Sequence, residues 1–137
     1  MDIVSTSAYV GPNVYAKLPL IRLTVDLRHR STASVASYGE SVLETLTKLL
    51  PGLATDKLPD GSLWLDRART AEDCGLGELI AHVALNLQRL VGSPTAFAQA
   101  IPVPDSDDVE VLFGYESDEI GLEAGDLACD ILIELEA

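Results

Sequence analysis

The first ten residues are rich in β-branched side chains and run into Gly11-Pro12-Asn13, a pattern that predicts a strand followed by a turn. Ile21, Leu23, Val25 and Leu27 then alternate with Arg22, Thr24, Asp26 and Arg28. That period of two predicts a second strand with one buried and one wet face. Residues 31–37 are small and polar and read as a loop. Ser37 and Glu40 form a capping box, in which each side chain satisfies an orphan helix amide. Val42, Leu43, Leu46, Leu49 and Leu50 follow helical spacing until Pro51-Gly52 stops the helix. Residues 53–61 connect, and residues 62–68 read as a short strand carrying Trp64.

A second helix is predicted over residues 76–91, with Leu76, Leu79, Ile80, Val83, Leu87, Leu90 and Val91 on its core face. Gly92-Ser93-Pro94 ends it. Residues 95–103 and 109–116 read as a hairpin joined by the acidic loop 104–108. A last helix starts near Ser117, with Asp118 and Glu119 placed to complement its positive end. Ile120, Ala124, Leu127, Ala128, Ile131 and Leu135 are expected inward, and Glu119, Glu123, Asp126, Asp130 and Glu134 make the opposite stripe wholly acidic. The expected architecture is α+β: a single domain over residues 1–137, with a mostly antiparallel sheet of about four to five strands packed with three helices.

Composition narrows the function. The chain has 137 residues, of which 47% are hydrophobic, enough for one buried core. Its net charge of −13 is unevenly placed: from Asp105 onward there are 12 acids and no Lys or Arg. A chain of this sign repels a phosphate backbone and an anionic membrane surface, so nucleic acid and membrane are excluded as partners. The acidic face suits a cationic partner, and solubility is the alternative reading of the same stripe. Two cysteines, Cys74 and Cys129, make neither a disulfide framework nor a CxxC metal pair, which points to the cytoplasm.

Nucleotide-binding glycine loops and a GxSxG elbow are absent. His29, between Arg28 and Arg30, reads as a solvated loop residue. His82 belongs to the one constellation of interest: Glu78, His82 and Asn86 stand at i, i+4 and i+8 on the second helix, with Arg89 close by. A carboxylate and an imidazole one turn apart can share a divalent metal, yet a catalytic zinc needs three protein ligands and an open position. The alternative is a His hydrogen-bonded to Glu78 on a partly exposed face.

At this helix the chain resembles the N-terminal domain of cyanophycin synthetases, enzymes that polymerise aspartate and arginine. The resemblance is carried by Gly11-Pro12-Asn13, by Val25-Asp26-Leu27, and by residues 77–88 against a Gly-His-x-x-Glu-His-Val-Ala-Leu-Glu-Leu-Gln helix. It continues through Phe113-Gly114-Tyr115-Glu116 and the Gly-x-Glu-Ala-Gly start at residues 121–125. It implies a domain that holds growing polymer beside an ATP-grasp ligase and a Mur-ligase-like domain. In some members the HxxEH helix binds zinc and cuts polymer as an inverted zincin does. Here the first His is Glu78, the catalytic Glu is Ala81 and the later acidic ligand is Asn86, so only His82 is kept. Without a base at position 81, a metal-bound water lacks its proton acceptor.

The resulting expectation is a non-catalytic binding or docking domain with no catalytic residue, metal or cofactor, acting with an ATP-dependent amide ligase. Ligand-binding candidates are Glu78, His82, Asn86 and Arg89, together with Arg22; Glu119, Glu123, Asp126, Asp130 and Glu134 form a candidate docking face. The ligands implied are an Asp–Arg polymer or a basic ligase partner. A metallopeptidase-like hydrolase of that polymer and a structural subunit of a homo-oligomer are the alternatives.

Overall fold

The computed structural model describes residues 1–28, 35–38, 40–71 and 73–136. His29, residues 31–34 of the expected loop and the Ser37 side chain of the expected capping box lie outside them. Among the described residues, the strands are β1 (Asp2–Tyr9), β2 (Leu20–Asp26), β3 (Ala98–Pro102) and β4 (Asp108–Gly114). The α-helices are α1 (Glu40–Leu49), α2 (Trp64–Thr70), α3 (Leu76–Leu90) and α4 (Asp118–Glu136). The sheet has the order β1-β2-β4-β3, antiparallel throughout. The expected α+β architecture therefore holds, with four strands and a fourth helix.

The fourth helix is a correction. Residues 62–68 do not form a strand; an isolated bridge between Lys57 and Leu63 leads directly into α2. Trp64, Leu65 and Ala68 are its buried face, a helical spacing inside a run too short to separate from a strand by periodicity. The turn after β1 is organised by Asn13. Its Oδ1 accepts from the amides of Tyr15 (2.9 Å) and Ala16 (3.0 Å), and its Nδ2 donates to Leu18 O (3.0 Å).

The two long helices cover one face of the sheet, α3 over β3 and β4 and α4 against β1 and β2, and they pack on each other. Ile21, Leu23 and Val25 from β2 and Val109, Val111 and Phe113 from β4 supply the sheet side of the core, as the period of two requires. Gly77 lets α3 approach closely: a Cβ there would lie 2.7 Å from Val109 Cγ2 and 2.9 Å from Ala100 Cβ. On α4 the inward set is shifted by part of a turn from the expected one. Cys129 and Leu132 are buried, whereas Leu127 is 48% exposed.

The central correction concerns α3. It is buried on nearly every side between Leu76 and Gln88, and the expected core residues Leu90 and Val91 are 62% and 64% exposed. The expectation had one apolar face against a sheet. The helix in fact lies between two layers, the sheet on one side and the segment from Pro51 through α2 on the other.

Candidate functional site

The second layer meets α3 along the stripe that the spacing singled out. His82 and Asn86 are only 8% and 3% exposed, so the expected exposed stripe is instead an internal seam. The group that buries it is Asp56, itself 4% exposed, which follows the 3₁₀ turn Pro51–Ala54. His82 Nδ1 lies 2.9 Å from Asp56 Oδ2, and Asn86 Nδ2 donates to the same oxygen at 2.9 Å. Arg89 closes the network with an ion pair to Asp56 Oδ1, and its second nitrogen donates to Thr95 O at 3.3 Å. An ionised carboxylate only accepts, so Nδ1 of His82 carries the hydrogen in this contact.

The balance at Asp56 follows from these partners. Burial pushes its carboxyl upward, but the hydrogen bonds from His82, Arg89 and Asn86 outweigh burial and hold it below the ordinary carboxylate range. The backbone allows the approach through Gly52, where a Cβ would stand 2.2 Å from Asn86 Oδ1.

Glu78 belongs to a separate cluster. Arg67 donates to its Oε1 at 3.1 Å, and the Cys74 thiol to its Oε2 at 3.0 Å. Burial and this carboxylate both push the Cys74 thiol far up, which removes it as a thiolate nucleophile at neutral pH. Trp64 bridges the two clusters. Its indole stacks on His82 with centroids 4.2 Å apart, and its Nε1 reaches Glu78 Oε2 at 3.5 Å. The Glu78–His82 hydrogen bond considered for an exposed face is thus replaced by two long-range partnerships.

Arg22 does not join this site. It projects from the face of β2 opposite Ile21 and Leu23, donates to Tyr15 Oη at 3.3 Å and sits 5.5 Å from the Tyr9 ring centroid. The acidic set Glu119, Glu123, Asp126, Asp130 and Glu134 lies exposed along α4, pointing away from the sheet. The site therefore comprises His82, Asn86 and Arg89 with Asp56, Trp64 and Lys57. Asp56 and Trp64 had no local signal, because His82 lies 26 and 18 positions from them.

A cleft of about 420 Å³ opens beside the network, lined among others by Thr55, Lys57, Leu85, Arg89 and Ala96. The donor set does not fit a zinc. Glu78 is engaged by Arg67, position 81 is a buried alanine, and His82 and Asp56 are bonded to each other. Among the described residues no three His, Cys, Asp or Glu side chains converge. No described helix is long and apolar enough to cross a membrane.

Comparison with known proteins adds a family. Residues 21–136 match the model of the cyanophycin synthase-like N-terminal domain. The chain is 29% identical over 130 residues to a cyanophycin synthetase of Synechocystis sp., covering 91% of this chain and 14% of that protein. It is 26% identical to the cyanophycin synthetase of Geminocystis herdmanii, covering 93% of this chain and 15% of the relative. The corresponding figures for that of Crocosphaera subtropica are 27%, 91% and 14%. The chain thus spans about one seventh of the length of the relatives it matches.

Proposed function

Because the chain belongs to the cyanophycin synthase-like N-terminal domain family, we propose that it is a non-catalytic domain that binds Asp–Arg polymer and works with an ATP-dependent amide ligase in the cytoplasm. One observation carries the non-catalytic part. At the positions where the resemblance expects His-x-x-Glu-His, this chain holds Glu78, Ala81 and His82. Both polar members are spent on Arg67 and Asp56, and no base stands between them. A polymer-cutting zincin needs those donors free and needs a proton acceptor for its water. The cleft beside His82 and Arg89 supports the binding part, because it offers room for a ligand without that chemistry.

The acidic face of α4 supports the ligase half of the reading. Glu119 to Glu134 present five carboxylates to solvent, flanked by the exposed side chains of Leu127 and Ile133. That combination suits a basic protein surface with an apolar centre.

The test is incubation of the purified chain with Asp–Arg polymer in the presence of zinc. Binding by calorimetry without release of shorter products is the expected result. Release of Asp–Arg fragments that a chelator stops, together with about one zinc per chain lost in His82→Ala, would overturn the non-catalytic reading.

A further inference from the structure

β3 is an edge strand, and its unpaired side borders a furrow. Gly114 N donates to Phe97 O and Val103 N donates to Asp108 O, which fixes residues 97, 99, 101 and 103 as those bonded to β4. The amides and carbonyls of Ala98 and Ala100 therefore point away from the sheet, as does the carbonyl of Pro102, whose ring offers no N–H. Among the described residues no other strand lies on that side.

Three cavities follow one another along this edge. The 420 Å³ cleft reaches Ala96, and a second of about 100 Å³ is lined by Leu58, Trp64, His82 and residues 98–100. A third of about 150 Å³ touches Ala100, Pro102 and Glu78. Neighbouring cavities share His82 and then Glu78 and Ala100 as walls, so the three stand in series as a segmented groove from Ala96 to Pro102. Seven residues of strand span about 20 Å.

The groove is electrically polar. At the Ala96 end stand Lys57 and Arg89 against one carboxylate, Asp56, which is paired to Arg89; at the Pro102 end stand Asp73, Glu78 and Asp108, with Arg67 paired to the first two. A peptide whose carboxylate end lies at the basic end and whose amino end lies at the acidic end runs opposite to β3. That is the antiparallel sense, in which ladder hydrogen bonds lie perpendicular to the strands.

We propose that this groove takes the peptide main chain of an Asp–Arg polymer as a fifth, antiparallel strand on β3, with its carboxylate end toward Lys57 and Arg89. The inference rests on the polymer-binding reading above and specifies how that ligand is held. Main-chain hydrogen bonds to Ala98 and Ala100 supply affinity.

Amide exchange on the unmodified protein separates this inference from its premise. With a short Asp–Arg oligomer at saturation, the amides of Ala98 and Ala100 are expected to slow by about tenfold or more. The amides of Gln99 and Ile101, already bonded to β4, should change little. Amidating the oligomer's C-terminus, or Lys57→Glu at the exposed rim, should weaken binding several-fold. Binding with unchanged exchange at Ala98 and Ala100 overturns strand addition and leaves polymer binding standing. Slowed exchange with full affinity for the amidated oligomer overturns the antiparallel orientation. An oligomer that does not bind at millimolar concentration overturns the polymer reading and this inference with it.

Discussion

The polar stripes of α3 and α4 have the same helical spacing and opposite fates. Glu78, His82, Asn86 and Arg89 are drawn into hydrogen-bonded contacts with the layer above them, whereas Glu119, Glu123, Asp126, Asp130 and Glu134 all stay exposed. Spacing identifies which residues share a face. It does not identify what covers that face, and the difference here is the layer from Pro51 through α2, whose Asp56 meets His82, Asn86 and Arg89 and whose Arg67 meets Glu78. Asp56 supplies the counter-charge that the mixed stripe of α3 accepts, and nothing in the described residues offers five cations to α4. One stripe holds two layers together, and the other holds a field over solvent.

The sharpest break in that comparison is truncation of each stripe's anion. Asp56→Ala removes the buried anion shared by His82, Asn86 and Arg89 and leaves the Arg89 charge without its counter-ion, so unfolding in urea should show a loss of about 3–5 kcal/mol. Asp126→Ala on α4 should move stability by less than about 0.5 kcal/mol. Equal losses at the two positions would abolish the distinction.

A smaller effect tests how closely the layers meet. The Cβ of Gly52→Ala would arrive 2.2 Å from Asn86 Oδ1, so the turn or the amide must move. A cost of about 1–3 kcal/mol is expected. In an Asn86→Ala background the obstructing atom is gone, and the added cost of Gly52→Ala should largely vanish. Additive losses in that cycle would show that the strain lies elsewhere.

These contacts also mark where the chain was legible and where it was not. The alternation from Ile21 to Leu27, the hairpin of β3 and β4, and the periodic faces of α1 and α4 depend on neighbours within a few residues. The structure has the alternation and the hairpin, and it buries Leu43 and Leu46 of α1 and Ala124 and Ala128 of α4, whereas Leu49 and Leu127 of the expected faces are 56% and 48% exposed. Leu127 is exposed and Leu132 buried because the apolar positions of α4 do not by themselves fix its rotation against the sheet. Residues 62–68 were misread because Trp64, Leu65 and Ala68 fit a strand and a helix equally in so short a run. The site was half legible. His82, Asn86 and Arg89 stood out by spacing, but Asp56 lies 26 positions before His82 and 33 before Arg89, in a stretch with no motif. Arg22, expected beside them, lies on the other side of the sheet, as the period of two in β2 requires.

Acid provides a graded test of the buried anion. Asp56 is held below the ordinary value near 3.8, so folding favours its ionised form. Its contribution to stability is complete above that value and fades as pH falls through the lower folded-state value. Asp56→Asn should therefore flatten the acid limb of a stability–pH profile below about pH 4, relative to the parent protein. An unchanged acid limb in the variant would mean that other carboxyl groups govern acid unfolding.

The smallest expected effect has the opposite sign and belongs to α4. Asp126, Asp130 and Glu134 stand at i, i+4 and i+8, so each neighbouring pair places like charges one turn apart. Such pairs destabilise an exposed helix by about 0.2–0.5 kcal/mol each. Their field also reaches inward, because the Cys129 thiol is raised to about 12, first by burial and then by Asp126 and Asp130. Asp130→Asn relieves two repulsive pairs at once and should raise stability slightly at low salt. At about 1 M salt the screening length shrinks to roughly 3 Å and the gain should disappear. A basic partner bound on this stripe should lose affinity over the same salt range and in the same variant. The two responses together distinguish a docking face from a solvated one: salt-sensitive stability with salt-insensitive partner binding would leave α4 as a charged surface and nothing more.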